Sequence, residues 1–93
     1  MSYLRTVVEE PRFTQDVDRF REKYPRIDEV HEALTWDLAR RPSGGTPLDK
    51  FPDYRVYTTT EIGDTPAFWV LYSFDEYKVY LMSIEPVRST SDD

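Results

Sequence analysis

The stretch AFWVLYSFDEYKVYLMSI, residues 67–84, holds two long β-prone runs and decides the fold class of the chain. Residues 67–74 are almost continuously apolar, and residues 77–84 mix aromatic, β-branched and aliphatic side chains, a composition typical of strands. Only the dipeptide DE separates the two runs, which is short enough for a hairpin. A third β-prone run, YRVYTTT at residues 54–60, precedes them, so this half is predicted to be a three-stranded antiparallel meander.

Upstream of the meander, the spacing of apolar residues changes to the 3.6-residue period of helices. Pro25 separates two such segments, because the residue before a proline avoids the helical region while proline itself suits a first helical turn. The second segment is expected to end at the loop PSGGTP, residues 42–47. The predicted buried faces are Phe13, Val17, Phe20 and Tyr24 in the first helix, and Ile27, Val30, Leu34 and Leu38 in the second.

A short β-prone run at residues 3–8 precedes the helices and is closed by Pro11. A lone strand needs a partner, which must come from the meander. The sequence therefore predicts an α+β protein of order β-α-α-β-β-β, with a helical hairpin packed on a small antiparallel sheet. We expect one domain over residues 1–88 and a disordered tail at residues 89–93, which contain no apolar side chain.

Composition excludes several classes of function. The 93 residues include no cysteine, so a disulfide framework and a thiolate metal site are ruled out. The chain shows no signal-peptide pattern and no apolar run of membrane-spanning length, so a soluble cytoplasmic protein without membrane contact is expected. The net charge is −6, and residues 42–93 carry nine carboxylates against four basic side chains. Such a surface argues against strong nonspecific binding to nucleic acid.

Four short segments occur in order along the chain: YPRI at residues 24–27, LARRP at 38–42, YRVY at 54–57 and VLY at 70–72. Taken together, they resemble segments of the RelE/ParE superfamily of bacterial toxins, and the resemblance covers about residues 3–87. It implies a toxin of a type II toxin–antitoxin pair, held inactive by a cognate antitoxin protein. Its expected target is either the ribosome, through mRNA cleavage, or DNA gyrase, and we expect neither a metal nor a cofactor.

In the ribosome-dependent RNases of this superfamily, the resemblance implies that basic residues around the sheet hold the scissile phosphate. Arg55 stands where such toxins often carry a strand cation, and the period-2 rule places Tyr57 on the same strand face. Arg55 and Tyr57 are therefore the predicted catalytic pair. The predicted substrate-binding residues are Lys50, Trp69 and Arg88.

The chain departs from this pattern at three places, one of which is that no tyrosine follows the last predicted strand. Trp69 occupies a position where the resemblance would place an arginine, and Glu85-Pro86 stands where a His or Arg pair is common. Phosphodiester cleavage needs an acid, a base and stabilisation of the developing charge, so these changes favour an alternative function. That alternative is a non-catalytic protein-interaction module that keeps the toxin fold.

Structural roles compete with the functional ones at several residues. Arg55 is predicted either to bind phosphate or to be solvated and paired with Asp53. Trp69 is expected to pack against the helix pair, with base stacking as the alternative. His31 is predicted to be a solvated surface residue. Homodimerisation through an edge strand is left open.

Overall fold

Residues 4–87 are described by a computed structural model and form two helices packed on a five-stranded sheet. The α+β class, the two adjacent helices and the meander are confirmed, whereas the predicted tail, residues 89–93, lies outside the described residues. None of the helices within residues 4–87 is long and apolar enough to cross a bilayer. The strands are β1 (Thr6–Glu9), β2 (Thr46–Pro47), β3 (Tyr54–Thr58), β4 (Phe68–Phe74) and β5 (Lys78–Pro86); the helices are α1 (Pro11–Lys23) and α2 (Ile27–Arg40), followed by a 3₁₀ turn at Pro42–Gly44.

The strand order across the sheet is β1-β5-β4-β3-β2. Neighbouring strands from β2 to β5 are antiparallel, but β1 runs parallel to β5, with Thr6 opposite Lys78 and Glu9 opposite Leu81. The prediction of a wholly antiparallel sheet is therefore wrong, because β1 reaches its partner only after a long crossover through both helices. The two-residue strand β2 was not predicted, since it contains a proline and is too short to show any period.

Helix boundaries follow from the prolines. Pro11 is the first residue of α1, a position whose N–H group has no partner within the helix, so the missing N–H of proline costs nothing there. The helix ends at Lys23, before the Tyr24-Pro25 pair, and α2 begins at Ile27, two residues after Pro25. Asp28 and Glu29 in the first turn of α2 complement the positive end of the helix dipole.

The core lies between the two helices and one face of the sheet. The predicted helix positions supply much of it: Phe13 is completely buried on α1, and the rings of Phe20 and Tyr24 pack against Phe68 of β4. On the sheet, alternate residues point toward the helices, as the pleat requires. The buried core residues are Phe13, Val17, Ile27, Val30, Leu34, Leu38, Phe68, Val70, Tyr72, Val79, Leu81 and Ile84.

The remaining strand residues point away from the helices and form a surface that we call the open face. Both described helices pack on the other side of the sheet, so neither covers it. A β-bulge, where the register shifts between Leu71 and Tyr72, places both Met82 and Ser83 opposite this part of β4. The open face of β3, β4 and β5 consists of Tyr54, Val56, Thr58, Trp69, Leu71, Ser73, Lys78, Tyr80, Met82, Ser83 and Glu85.

Candidate functional site

The predicted catalytic residue Tyr57 lies on the helix-facing side of β3 and contacts α2. Its hydroxyl donates a hydrogen bond of 2.6 Å to the Oδ2 atom of Asp37. The other carboxylate oxygen of Asp37 accepts a bond of 2.8 Å from the guanidinium of Arg41. The three side chains therefore form a connected polar cluster at the C-terminal end of α2.

This cluster fixes the protonation of its members. Burial, followed by the bond to Asp37, raises the pKa of Tyr57 to about 12. The Tyr57 hydroxyl and the Arg41 guanidinium together hold the pKa of Asp37 below its ordinary value. At neutral pH, Tyr57 is therefore protonated and Asp37 is ionised. In this state Tyr57 can donate a hydrogen bond or a proton, but it cannot accept one as a phenolate base.

The second predicted catalytic residue, Arg55, contacts backbone rather than a carboxylate. Its Nη1 atom donates to the carbonyl oxygens of Gly45, at 2.8 Å, and Ser43, at 3.2 Å. Its guanidinium also lies 5.7 Å from the ring centre of Phe74. Neither free solvation nor the expected pairing with Asp53 describes Arg55, because the loop after α2 folds back over β3 and presents its carbonyls to this side chain.

Tyr72 completes the attachment of that loop to the sheet. Its buried hydroxyl donates to the carbonyl oxygen of Pro42 at 2.5 Å and accepts the N–H of Gly45 at 2.8 Å. Gly45 is required by space, since a Cβ atom there would come within 2.6 Å of the Tyr72 Oη atom and 2.8 Å of the Val56 carbonyl oxygen. The Arg55 and Tyr72 contacts therefore brace the loop, and spacing along the sequence gave no signal for them.

The predicted substrate-binding residues do not converge on Arg55 and Tyr57. Lys50 is exposed in the loop between β2 and β3, and Arg88 lies outside the described residues. Trp69 is on the open face, opposite Thr58 and Glu85 in the neighbouring strands. Because Arg55 and Tyr57 point to the other side of the same sheet, the structure separates the predicted catalytic pair from Trp69.

The expectation that Trp69 packs against the helix pair is wrong. Phe68 and Val70 on either side of it are completely buried under the helices, so the pleat turns Trp69 outward, and 42% of it remains exposed. It lines a groove of about 320 Å³ on the open face. We call this the Trp69 groove; its lining residues are Val56, Trp69, Leu71, Ser83 and Glu85.

The Trp69 groove combines apolar side chains with one acid. Val56 and Leu71 form its floor as directly opposed residues of β3 and β4, and Glu85 faces Trp69 from β5. Glu85 is exposed, and no basic residue of the described chain lines the groove with it. This chemistry suits an apolar surface of another protein far better than it suits a phosphate group.

A second hollow, of about 670 Å³, runs along the exposed side of α2. His31 lies in it, and the expectation of a solvated His31 is wrong. Its Nε2 atom is 2.5 Å from the Oε2 atom of Glu9, and its ring packs 5.6 Å from that of Phe13. Glu9 is the last residue of β1, so this contact ties β1 to α2, a long-range relation that local sequence cannot reveal.

Trp36, in the same hollow, is a surface residue that the sequence interpretation did not single out. It is 57% exposed, and the Arg40 guanidinium lies over its ring at 3.6 Å. The i, i+4 spacing of these two residues on α2 was the available signal. Within residues 4–87, no group of three histidine or carboxylate side chains is arranged to hold a metal ion.

No protein-family model matches this chain, and neither does any curated protein.

Proposed function

We propose that this protein is the toxin of a RelE/ParE-like type II toxin–antitoxin pair and that it reaches its target by protein contact. Of the two targets expected for this superfamily, DNA gyrase fits such a mechanism better than ribosome-bound mRNA. The cognate antitoxin is the second partner. The main support for this proposal is the Trp69 groove on the open face. Its lining is apolar and acidic, whereas an RNase would need cations to bind phosphate.

The arrangement of Arg55 and Tyr57 supports this choice. Cleavage of RNA through its 2′-hydroxyl needs a base to take a proton and cations to stabilise the phosphate oxygens. Tyr57, with its pKa raised to about 12, is protonated at neutral pH and donates its hydrogen bond to Asp37. Arg55 directs one nitrogen to two backbone carbonyls. Both groups are engaged within the fold on the helix-facing side of the sheet.

The composition of the chain supports the same conclusion. The net charge of −6 repels a phosphate backbone, and affinity for nucleic acid depends on the number of phosphates that basic side chains neutralise. A protein target imposes no such requirement. Exposed aromatic residues in a partly apolar patch are common at the centres of protein interfaces.

Induced expression of the chain alone in a bacterial host tests the proposal. We expect growth to stop, purified protein to inhibit DNA supercoiling by gyrase, and mapped mRNA ends to remain unchanged. Trp69→Ala should relieve the arrest, because it removes the largest exposed side chain of the groove. Trp36→Ala is the matched control, since it truncates a tryptophan on α2 that is even more exposed than Trp69, and it should leave the arrest intact.

Two other outcomes would change the proposed target or the proposed function. New mRNA ends on translating ribosomes would replace gyrase with the ribosome as the target. Unaffected growth would contradict the toxin proposal and favour the second candidate, a non-catalytic interaction module using the same groove. The module is favoured by one specific observation, the position of Glu85 beside Trp69, and it predicts that a partner binds the wild type but not Trp69→Ala.

A further inference from the structure

The open face carries charge at only two of its strand positions, and these lie at opposite ends of β5. Lys78 begins the strand and Glu85 stands next to its last residue, and both are exposed. Six residues of extended chain lie between them, which places their Cα atoms roughly 20 Å apart. The open-face residues of β3, β4 and β5 between these ends are uncharged: Tyr54, Val56, Thr58, Trp69, Leu71, Ser73, Tyr80, Met82 and Ser83.

This distribution is self-complementary. A two-fold axis lying in the plane of the contact and crossing β5 near Met82 would invert the strand direction of a second copy. Each Lys78 would then meet the Glu85 of the partner subunit, because a two-fold interface pairs residue i with j and residue j with i. The same rotation would set the row containing Leu71 and Ser83 over the partner's row containing Ser73 and Tyr80.

The middle of the face has the chemistry that such a contact needs. Leu71 and Val56 are paired across β4 and β3, and the bulge brings Met82 beside them, so the region around the axis is apolar. Two sheets pack face to face at about 10 Å with their side chains interdigitated. Three strands of five to nine residues, about 4.8 Å apart, give a face of roughly 330 Å² in projection, and the accessible side-chain surface is larger.

We infer that the open face binds a second copy of this chain, forming a two-fold dimer closed by reciprocal Lys78–Glu85 pairs. Such a dimer would have an interface at the lower end of the sizes found in specific complexes, so we expect a dissociation constant in the micromolar range. Asp75 lies near Lys78, but its carboxylate accepts the N–H groups of Tyr77 and Lys78 and the hydroxyl of Tyr80. Lys78 itself is exposed, and its charge also interacts with the Asp75 carboxylate.

The inference goes beyond the proposed function and does not depend on it, because it concerns only the shape and charge of the open face. A protein harmless to its host would still dimerise. If the toxin proposal also holds, the dimer would cover the Trp69 groove and would have to dissociate before the target binds.

Sedimentation velocity of the purified chain from about 1 µM to about 1 mM tests the inference. The wild type should change from monomer to dimer across this range at about 0.15 M salt, where charges more than about 8 Å apart are screened. Lys78→Glu and Glu85→Lys should each weaken the dimer about tenfold or more, since each places two like-charged pairs across the axis. Mixing these two variants should restore the dimer, because both cross-axis pairs then have opposite charges.

Matched charge reversals in the helix layer serve as controls. Lys23→Glu and Glu22→Lys alter exposed residues of α1 and should leave the association unchanged. Urea unfolding of each variant would confirm that the fold is retained. A wild type that is monomeric throughout, a dimer insensitive to both open-face reversals, or a mixture that stays monomeric would each overturn the inference.

Discussion

The buried hydroxyl of Tyr72 should be among the most important polar groups for stability. Replacing Tyr72 with phenylalanine keeps the ring in the core but leaves the Pro42 carbonyl and the Gly45 N–H without their partner. Each such group costs about 1–3 kcal/mol when it is buried and unpaired. Because the loop side is partly accessible and water can reach one of the groups, we expect the free energy of unfolding to fall by about 2–3 kcal/mol.

Urea denaturation followed by far-UV circular dichroism measures this loss. The midpoint should decrease with an unchanged slope, because the surface exposed on unfolding is the same. Thermal unfolding should occur about 10–20 °C lower, since 1 kcal/mol corresponds to about 4–8 °C in a domain of this size. Tyr77→Phe is the matched control: Tyr77 is 67% exposed, and its variant should stay within about 0.5 kcal/mol of the wild type. A loss below about 0.5 kcal/mol for Tyr72→Phe would refute the proposed bracing of the loop.

Three further predictions concern the same region. Gly45→Ala should lower the free energy of unfolding by about 1–3 kcal/mol, measured in urea, because its Cβ would collide with the Tyr72 hydroxyl; Gly44→Ala meets nothing within 4 Å and should be neutral. Hydrogen bonds from Tyr57 and Arg41 hold the pKa of Asp37 below its ordinary value, so its contribution to stability is present at neutral pH and is lost as the pH falls through the folded pKa. In Asp37→Asn, the free energy of unfolding measured in urea should therefore depend less steeply on pH in the acidic range. Tyr57 titrates near 12 rather than 10, so its contribution is complete below pH 10 and is lost toward pH 12; the 295 nm absorbance step near pH 12 should disappear in Tyr57→Phe.

The helices and the meander were predictable because their signals are local. The i, i+4 spacing from Phe13 and the Tyr24-Pro25 break fix α1 without reference to the rest of the chain. The parallel pairing of β1 with β5 was not predictable, because a four-residue strand carries no local signal for the strand that it pairs with. Direction and partner are set by how the helices cross the sheet.

The sequence also did not determine which side of the sheet each residue of β4 faces. An almost continuous apolar run such as β4 fits either parity, so the sequence alone did not exclude a buried Trp69. Packing of Phe68 and Val70 under the helices decides it. Arg55 and Tyr57 were correctly placed on one strand face by the period-2 rule, but their partners come from α2 and the loop after it. Their catalytic role stays a prediction.

The position of β5 also determines when the molecule can fold. This strand lies between β1 and β4 and supplies the buried Val79, Leu81 and Ile84. Until residues 78–86 have been synthesised, the N-terminal strand therefore has no sheet partner and α1 lacks most of its contacts with the sheet. During synthesis, the apolar faces of both helices would remain without the central part of the sheet. A nascent chain of this kind offers a long interval in which a chaperone or a co-translated partner can bind before the structure closes.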